Sequence, residues 1–279
     1  MNWSAYWRLS RFHKPAGTLL LWAPTAWALW MANREAPSLR LFLLFLAGTI
    51  IMRAAGCVMN DIADRNIDGH VQRTKNRPLA AGELTVKQAF ALLFVYLLLA
   101  FLIVLQLPLN CLYYAVLALL VTFVYPFCKR WINAPQLVLG IAFSMGIPMA
   151  YVASHVAFDT GMFMLLLINF LWIVAYDTQY ALSDRPDDLL IGVKSTAILF
   201  GRFDTLIINV LQIACQLLWL ILAWSRQLSW IFYVAWLCAS LLFVYQQHLI
   251  TSGKNDACWK AFASNSWYGL IMWAGIALN

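Results

Sequence analysis

The sequence predicts an all-α membrane protein, a polytopic helical bundle with about nine transmembrane helices. Of its 279 residues, 63% are hydrophobic and only 11% are charged, whereas a soluble domain is about 45–50% apolar and about 25% charged. Apolar runs long enough to cross a bilayer, about 20 residues each, recur along the whole chain. They lie at 16–32, 39–59, 87–107, 109–127, 134–154, 160–177, 204–224, 227–247 and 261–278.

The positions of lysine and arginine predict the orientation of these helices, because basic residues are retained on the cytoplasmic side. One face of the membrane receives fifteen of the 19 basic residues, whereas the opposite loops carry only Arg34, Arg40 and Arg226. We therefore expect an integral protein of a bacterial inner membrane with a cytoplasmic N-terminus. This bias and the attraction to anionic lipid headgroups account for the net charge of +7, so no nucleic-acid partner is expected.

No change in composition marks a soluble domain or a linker, so residues 1–279 are expected to form one membrane domain. Acidic segments follow the second and the sixth span. The even number of spans between them places both segments on the same, cytoplasmic face. Two four-helix pseudo-repeats, at about 16–130 and 131–250, with a final helix at 261–278, would explain this arrangement.

The two acidic segments are "NDIADRNID" at 60–68 and "YDTQYALSDRPDD" at 176–188, and they hold seven of the 12 acidic residues. Helical residues three, four and seven positions apart share a face. This spacing predicts an acidic stripe in each segment, formed by Asn60, Asp61, Asp64 and Asp68 and by Asp177, Asp184 and Asp188.

Pro186 interrupts the second stripe, because the residue before a proline is pushed away from helical angles. We expect the helix to kink or end near Arg185, so that Asp188 approaches from a loop.

Clustered carboxylates repel one another and are costly to desolvate, so such clusters indicate a bound cation. Carboxylate and amide oxygens suit Mg²⁺, which shares its coordination sphere with phosphate. Basic residues that would take the remaining phosphate charge adjoin the segments, namely Arg73, Lys75, Arg77 and Lys194. Together they predict a diphosphate site at the membrane rim. The alternative is a set of solvated salt bridges at the membrane surface.

A diphosphate in a membrane protein indicates a lipid, whose tail lies in hydrocarbon while its head reaches the interface. Burial of each tail CH₂ contributes about 0.8 kcal/mol, so a polyisoprenyl chain partitions strongly. A helical bundle would also protect an allylic carbocation from water. The rival classes are a cation transporter, whose site would lie nearer the bilayer midplane, and a binding or assembly protein without catalysis.

Two stretches of the chain carry a family resemblance. "NDIADRNIDGHVQRTKNRPL" at 60–79 resembles the first aspartate motif of the UbiA superfamily of intramembrane prenyltransferases. "YDTQYALSDRPDDLLIGVKSTAILFG" at 176–201 resembles the second motif as it occurs in the 4-hydroxybenzoate branch. The similarity extends over nearly the whole chain, although the first motif does not distinguish between acceptors.

The resemblance implies Mg²⁺-dependent transfer of a polyprenyl group from its diphosphate to the 3-position of 4-hydroxybenzoate, with release of diphosphate, in ubiquinone biosynthesis. Naphthoate, homogentisate and haem are the alternative acceptors. By motif match, the Mg²⁺–diphosphate would be held by Asn60, Asp61, Asp64, Asp68, Asp184 and Asp188. The candidate partners of the diphosphate are Arg73, Lys75, Arg77 and Lys194.

The acceptor carboxylate also needs a cation, for which Arg53 and Arg130 are both candidates; Arg53 lies within a span, where a charge usually has a partner or a function. Asp177 is a candidate to deprotonate or orient the phenol, which makes it a catalytic candidate beside Asp64 and Asp184. Two aromatic residues would either lie beside the carbocation or line the cavity wall, namely Tyr125 and Tyr176.

Overall fold

The computed structural model describes residues 2–33, 35–70 and 74–279, without the side chain of His70; Arg34 and Arg73 lie outside the described residues. The described chain is all-helical, as predicted. Its helices are α1 Trp3–Leu9, α2 Ala16–Asn33, α3 Leu39–Asp64, α4 Val86–Val104, α5 Cys111–Trp131, α6 Pro135–Ser144, α7 Gly146–Ala153, α8 Thr160–Ile191, α9 Thr196–Phe200, α10 Asp204–Ser225, α11 Trp230–Thr251 and α12 Asn255–Ala277.

Seven segments of the described chain are helical, long and apolar enough to cross a membrane. They correspond to α3, α4, α5, the pair α6–α7, α8, the pair α9–α10, and α11. The two remaining predicted spans, 16–32 and 261–278, are present as the helices α2 and α12 but are not among those seven. The protein is an integral membrane protein, while the count of nine spans and the pseudo-repeats stay predictions.

Tryptophans form the centre of the bundle, where α2, α8 and α10 meet. The ring of Trp27 lies 5.1 Å from those of both Trp172 and Trp219, and all three side chains are buried. Each large ring buries much apolar surface, but a buried indole N–H needs an acceptor. Trp27 donates to the backbone oxygen of Gly269 at 3.0 Å, and Trp172 donates to Asn265 Oδ1 at 2.8 Å. Both acceptors lie on α12, which therefore packs inside the bundle.

Side-chain amides join α8 to the helices that follow it. Gln179 Nε2 donates to Gln246 Oε1 at 3.0 Å, and Gln212 Nε2 donates to the same oxygen at 2.7 Å. Asn265 Nδ2 donates to Gln179 Oε1 at 2.9 Å. Hydrogen bonds between membrane helices hold them in register, and these bonds fix α8 against α10, α11 and α12.

The helix α8 does not end near Arg185, so the expectation of an end there is wrong. It continues through Pro186 to Ile191, and Asp188 lies on the helix rather than in a loop. Proline removes one backbone donor, but the contacts of Arg185 hold this turn in place. Arg185 donates to the backbone oxygen of Ala197 at 2.8 Å and contacts the Asp204 carboxylate.

Candidate active site

The C-terminal end of α3 carries the first acidic segment into the bundle. Asn60, Asp61 and Asp64 lie in its last two turns, and Asp68 follows in the 3₁₀ turn Asp68–His70. The helix thus ends before Asp68, so the predicted stripe is helical only as far as Asp64. The three carboxylates are buried. Like charges at such a place are costly unless cations compensate for them.

Arg77 holds two of these carboxylates together. Its Nη1 lies 2.8 and 3.0 Å from the carboxylate oxygens of Asp68 and 3.2 Å from Asp61 Oδ1. Arg11 Nη2 approaches the same oxygen of Asp61 at 2.7 Å. Burial by itself lowers the pKa of Arg77, but the carboxylates of Asp61 and Asp68 outweigh it and raise this pKa above its ordinary value. Arg77 is therefore a permanent cation at the site.

Asp64 is paired with a cation from another helix. Lys129, in the last turn of α5, contacts Asp64 Oδ2 through its ammonium group. Lys129 is not among the site residues predicted from the sequence, although its spacing is a signal for it. It follows Tyr125 by four residues, which places both side chains on one face of α5, whereas its neighbour Arg130 points elsewhere.

The acidic face of α8 lies toward the first acidic segment. Asp177, Asp184 and Asp188 lie on α8 and line the same cavity as the three aspartates of the first segment. Because the helix passes unbroken through Pro186, spacings of seven and four residues keep the three carboxylates on one side. The predicted stripe on this segment is therefore present in full.

Residues of both acidic segments line one cavity of about 240 Å³. The predicted residues that line it are Arg53, Asn60, Asp61, Asp64, Asp68, Arg77, Tyr125, Asp177, Asp184, Asp188 and Lys194. Arg11 and Lys129 also line it, and sequence reasoning missed both. We call this space the aspartate cavity.

The described residues among those predicted that do not line the aspartate cavity are Lys75, Arg130 and Tyr176. Arg73 lies outside the described residues. Lys75 is exposed. Arg130 is exposed as well; it donates to the backbone oxygen of Ala63 at 2.8 Å and its guanidinium lies 5.4 Å from the ring centroid of Phe127. Their assignments stay predictions.

Two carboxylate oxygens at the site accept no hydrogen bond within the described chain: Asp61 Oδ2 and Asp64 Oδ1, both shielded from solvent. No group of three carboxylate, imidazole or thiol side chains that could hold a metal ion by itself was found among the described residues. Mg²⁺ commonly takes only one or two protein carboxylates and completes its shell with water and substrate phosphate. The residues present therefore fit a divalent metal that is shared with a phosphate ligand.

A second cavity, of about 370 Å³, adjoins the first and shares Arg53, Tyr125 and Asp177 with it. Tyr176 lines this second space, which we call the acceptor cavity after the role that we propose for it below. Its other cationic or titratable residues are Arg77, Tyr180 and, from the N-terminal segment, Arg8, Arg11, His13 and Lys14. Partial burial and, after it, the nearby cations Lys14, Arg11 and Arg8 lower the pKa of His13. A cationic space with aromatic walls suits an aromatic acid.

Arg53 is held where the two cavities meet. Its guanidinium lies so close to Gly17, in the first turn of α2, that a β-carbon at position 17 would overlap it. Glycine at this position therefore allows the close approach of α2 to the Arg53 side chain.

A third cavity, of about 250 Å³, is almost wholly apolar and extends along α3 from Gly56 back to Leu44. It is bounded by residues of α4 and α5 such as Ile103 and Leu119, and Arg53 lies at its border as well. We call it the tail cavity, after the role that we propose for it below. The aspartate cavity thus borders both a cationic aromatic space and a hydrocarbon-like space.

Comparison with known proteins gives relatives that match over nearly their whole length. A 4-hydroxybenzoate octaprenyltransferase from Legionella pneumophila (strain Paris) is 55% identical over 276 residues, which cover 99% of this chain and 98% of that relative. A protein of the same name from Salmonella paratyphi B (strain ATCC BAA-1250 / SPB7) is 50% identical over 286 residues, covering 100% and 99%.

Solved structures share the fold. The apo structure of a UbiA homologue from Aeropyrum pernix K1 has a TM-score of 0.81 at 24% identity, covering 94% of this chain and 97% of that chain. A UbiA homologue from Archaeoglobus fulgidus bound to GPP and Mg²⁺ has a TM-score of 0.74 at 17% identity, covering 96% and 99%. The model of the UbiA prenyltransferase family matches residues 21–273. This chain therefore belongs to the UbiA prenyltransferase family, as its two aspartate motifs predict.

Proposed function

We propose that this protein transfers a polyprenyl group from polyprenyl diphosphate to the 3-position of 4-hydroxybenzoate in ubiquinone biosynthesis, with Mg²⁺ as cofactor. The observation that carries the proposal is the arrangement of two aspartate segments around one cavity that borders an apolar cavity. The names of the relatives that are 50% and 55% identical support the choice of acceptor, and the Mg²⁺ and GPP of the Archaeoglobus homologue support the choice of cofactor and donor.

In the proposed reaction the allylic C–O bond breaks and its electron pair leaves with the diphosphate. A C–C bond forms at the ring carbon ortho to the hydroxyl, and that carbon then loses its proton. Mg²⁺, when bound, neutralises charge on the diphosphate and so assists its departure. The residues that would hold the metal are Asn60, Asp64, Asp68, Asp184 and Asp188.

Asp61 has a different role in this proposal from the one predicted for it. Its Oδ1 already contacts both Arg11 and Arg77. We therefore assign Asp61 the task of holding these two guanidinium groups at the site.

Cations of the aspartate cavity would take up the negative charge that develops on the leaving diphosphate. Lys129 and Arg77 each lie against a carboxylate at the cavity wall, and Lys194 lines the same wall. Charge-assisted hydrogen bonds to phosphate are among the strong ones, and donors that are already in place need no reorganisation during the reaction. Lys75 and Arg73 stay candidates on the motif alone.

Arg53 is the better of the two candidates for the acceptor carboxylate. It lines all three cavities and so lies where donor head, donor tail and acceptor would meet. Asp177 lines both polar cavities and would accept or orient the phenol proton, which raises the electron density of the ring. Tyr125 and Tyr176 would flank the allylic carbocation through their ring faces.

We also propose that the site faces the cytoplasm across a bacterial inner membrane. Support comes from the gathering of basic residues at the end of the bundle where α3 and α8 carry their aspartates, including Arg8, Arg11, Lys129 and Arg185. Basic residues on one side of a membrane protein indicate its cytoplasmic face.

The test is an assay of the purified protein in liposomes with labelled octaprenyl diphosphate and a panel of 4-hydroxybenzoate, dihydroxynaphthoate, homogentisate and haem. We expect product from 4-hydroxybenzoate in the presence of Mg²⁺ and none after chelation of divalent metal. Transfer to a different member of the panel would reassign the acceptor. Cation flux through the same vesicles without transfer to any acceptor would replace the proposal by a transporter.

A further inference from the structure

The eight glycines within the α-helices fall into two groups according to what a β-carbon would meet. At six of them it would overlap a neighbouring side chain, namely at Gly17, Gly140, Gly146, Gly161, Gly269 and Gly275. At Gly48 it would approach only Ile103 Cγ2, at 3.8 Å, and at Gly56 only Thr122 Cγ2, at 3.9 Å. Both distances are ordinary van der Waals contacts. Close packing therefore explains six of the glycines but not Gly48 or Gly56.

Gly48 and Gly56 both line the tail cavity. Gly56 lies where this cavity borders the acceptor cavity, and Thr122 of α5 also lines both spaces. Gly48 lies about 12 Å farther along α3, at 1.5 Å per residue, beside Ile103 of α4. The missing side chains thus leave room at two depths of the same cavity.

Glycine is an unfavourable residue inside a helix, because it loses more backbone entropy on folding than alanine does. Glycines of membrane helices usually compensate by letting two helices approach closely. At Gly48 and Gly56 no helix makes that approach, since a β-carbon fits at both positions. What the glycines provide instead is open volume beside the site.

We propose that Gly56 and Gly48 determine which donor tails the enzyme accepts. Gly56, opposite Thr122, gives clearance to the isoprenoid unit next to the diphosphate, and Gly48, opposite Ile103, gives clearance to a unit farther along the tail. The proposal rests on the proposed function, because it requires a prenyl tail in the tail cavity. A side chain at position 56 obstructs every donor, whereas one at position 48 obstructs only a donor long enough to reach it.

The experiment compares Gly56→Val, Gly48→Val and a control, Leu43→Phe, which adds volume to α3 at a side chain that is 51% exposed and lines none of the three cavities. The kcat/KM of each is measured with geranyl and with octaprenyl diphosphate at fixed 4-hydroxybenzoate and Mg²⁺. Because an added side chain would overpack the cavity, we expect the kcat/KM of Gly48→Val to fall about tenfold or more with octaprenyl diphosphate only. The kcat/KM of Gly56→Val should fall by as much with both donors. The control should match the wild type.

Thermal unfolding separates obstruction from misfolding. Because a β-carbon fits at both positions, Gly48→Ala and Gly56→Ala are expected to unfold at the same temperature as the wild type or higher. Equal losses with both donors in Gly48→Val, or no loss in either valine variant, would overturn the assignment. A wild-type protein that uses neither donor would instead overturn the proposed function.

Discussion

The ammonium group of Lys129 contacts the carboxylate of Asp64 between α5 and α3, at the wall of the cavity that both acidic segments line. This pair joins the first motif to a cation that lies 65 residues away in the sequence. The second oxygen of Asp64 accepts no hydrogen bond within the described chain. One oxygen of this carboxylate is thus paired with a cation, and the other is available to a cationic ligand.

Replacement of this cation should slow the departure of the diphosphate. We expect Lys129→Met to reduce kcat by about 10²–10³-fold, the usual effect of removing one preorganised stabilising donor, and Lys129→Arg to retain more activity. Lys87→Met, at an exposed position outside the three cavities, is the matched control. Steady-state assays in liposomes measure the effect, and wild-type kcat in Lys129→Met would remove this residue from the site.

Replacing Asp64 or Asp184 by asparagine removes the charge at nearly the same side-chain volume. Either change should stop prenyl transfer without preventing membrane insertion. We expect Asp64→Asn and Asp184→Asn each to abolish product formation at the Mg²⁺ concentration that saturates the wild type. Asp256→Asn, at an exposed position on α12, makes the same chemical change away from the site. Full activity of either site variant in liposomes would contradict the metal role.

Substitution of the two arginines that are candidates to bind the acceptor carboxylate should have different effects. Arg53→Ala should raise the KM for 4-hydroxybenzoate more than the KM for the prenyl donor, because Arg53 lines the acceptor cavity. Arg130→Ala should leave both values close to the wild type, because its guanidinium contacts Ala63 and Phe127. A larger effect of Arg130→Ala on the acid would reverse the assignment.

Close helix packing at Gly269 makes a prediction about stability. A β-carbon there would lie 2.6 Å from Ala23 Cβ and 3.1 Å from the Trp172 ring. Gly269→Ala should therefore lower the free energy of unfolding by about 1–3 kcal/mol, although alanine has the higher helix propensity. Denaturant unfolding in detergent measures the change. An increase in stability would show that α2, α8 and α12 pack less closely than described.

Much of the site follows from local sequence. Helical spacing alone indicates which faces of α3 and α8 carry Asn60, Asp64, Asp177 and Asp184, because the phase of a helix is set by residue number. The even number of predicted spans between the two segments then places both faces at one end of the bundle. These predictions need no knowledge of contacts between distant residues.

The remaining features depend on tertiary contacts that a sequence does not display. Lys129 and Arg130 are adjacent basic residues, and only the packing of α5 against α3 decides that Lys129 reaches Asp64. Arg11 reaches Asp61 because α1 and the residues after it fold back against α3. The break expected at Pro186 is absent because Arg185 and its partners hold the helix on that turn. In each case the local rule is outweighed by a contact with a distant residue.

The central claim is that both acidic segments bind one metal–diphosphate group, and a double-mutant cycle tests it most directly. The measurement is the Mg²⁺-dependent binding of an unreactive geranyl thiolodiphosphate to the wild type, Asp64→Asn, Asp184→Asn and the double variant, followed by tryptophan fluorescence. A shared ligand predicts strong coupling, with the double variant losing little more affinity than either single variant. Independent losses that multiply, or no loss in the single variants, would contradict the claim.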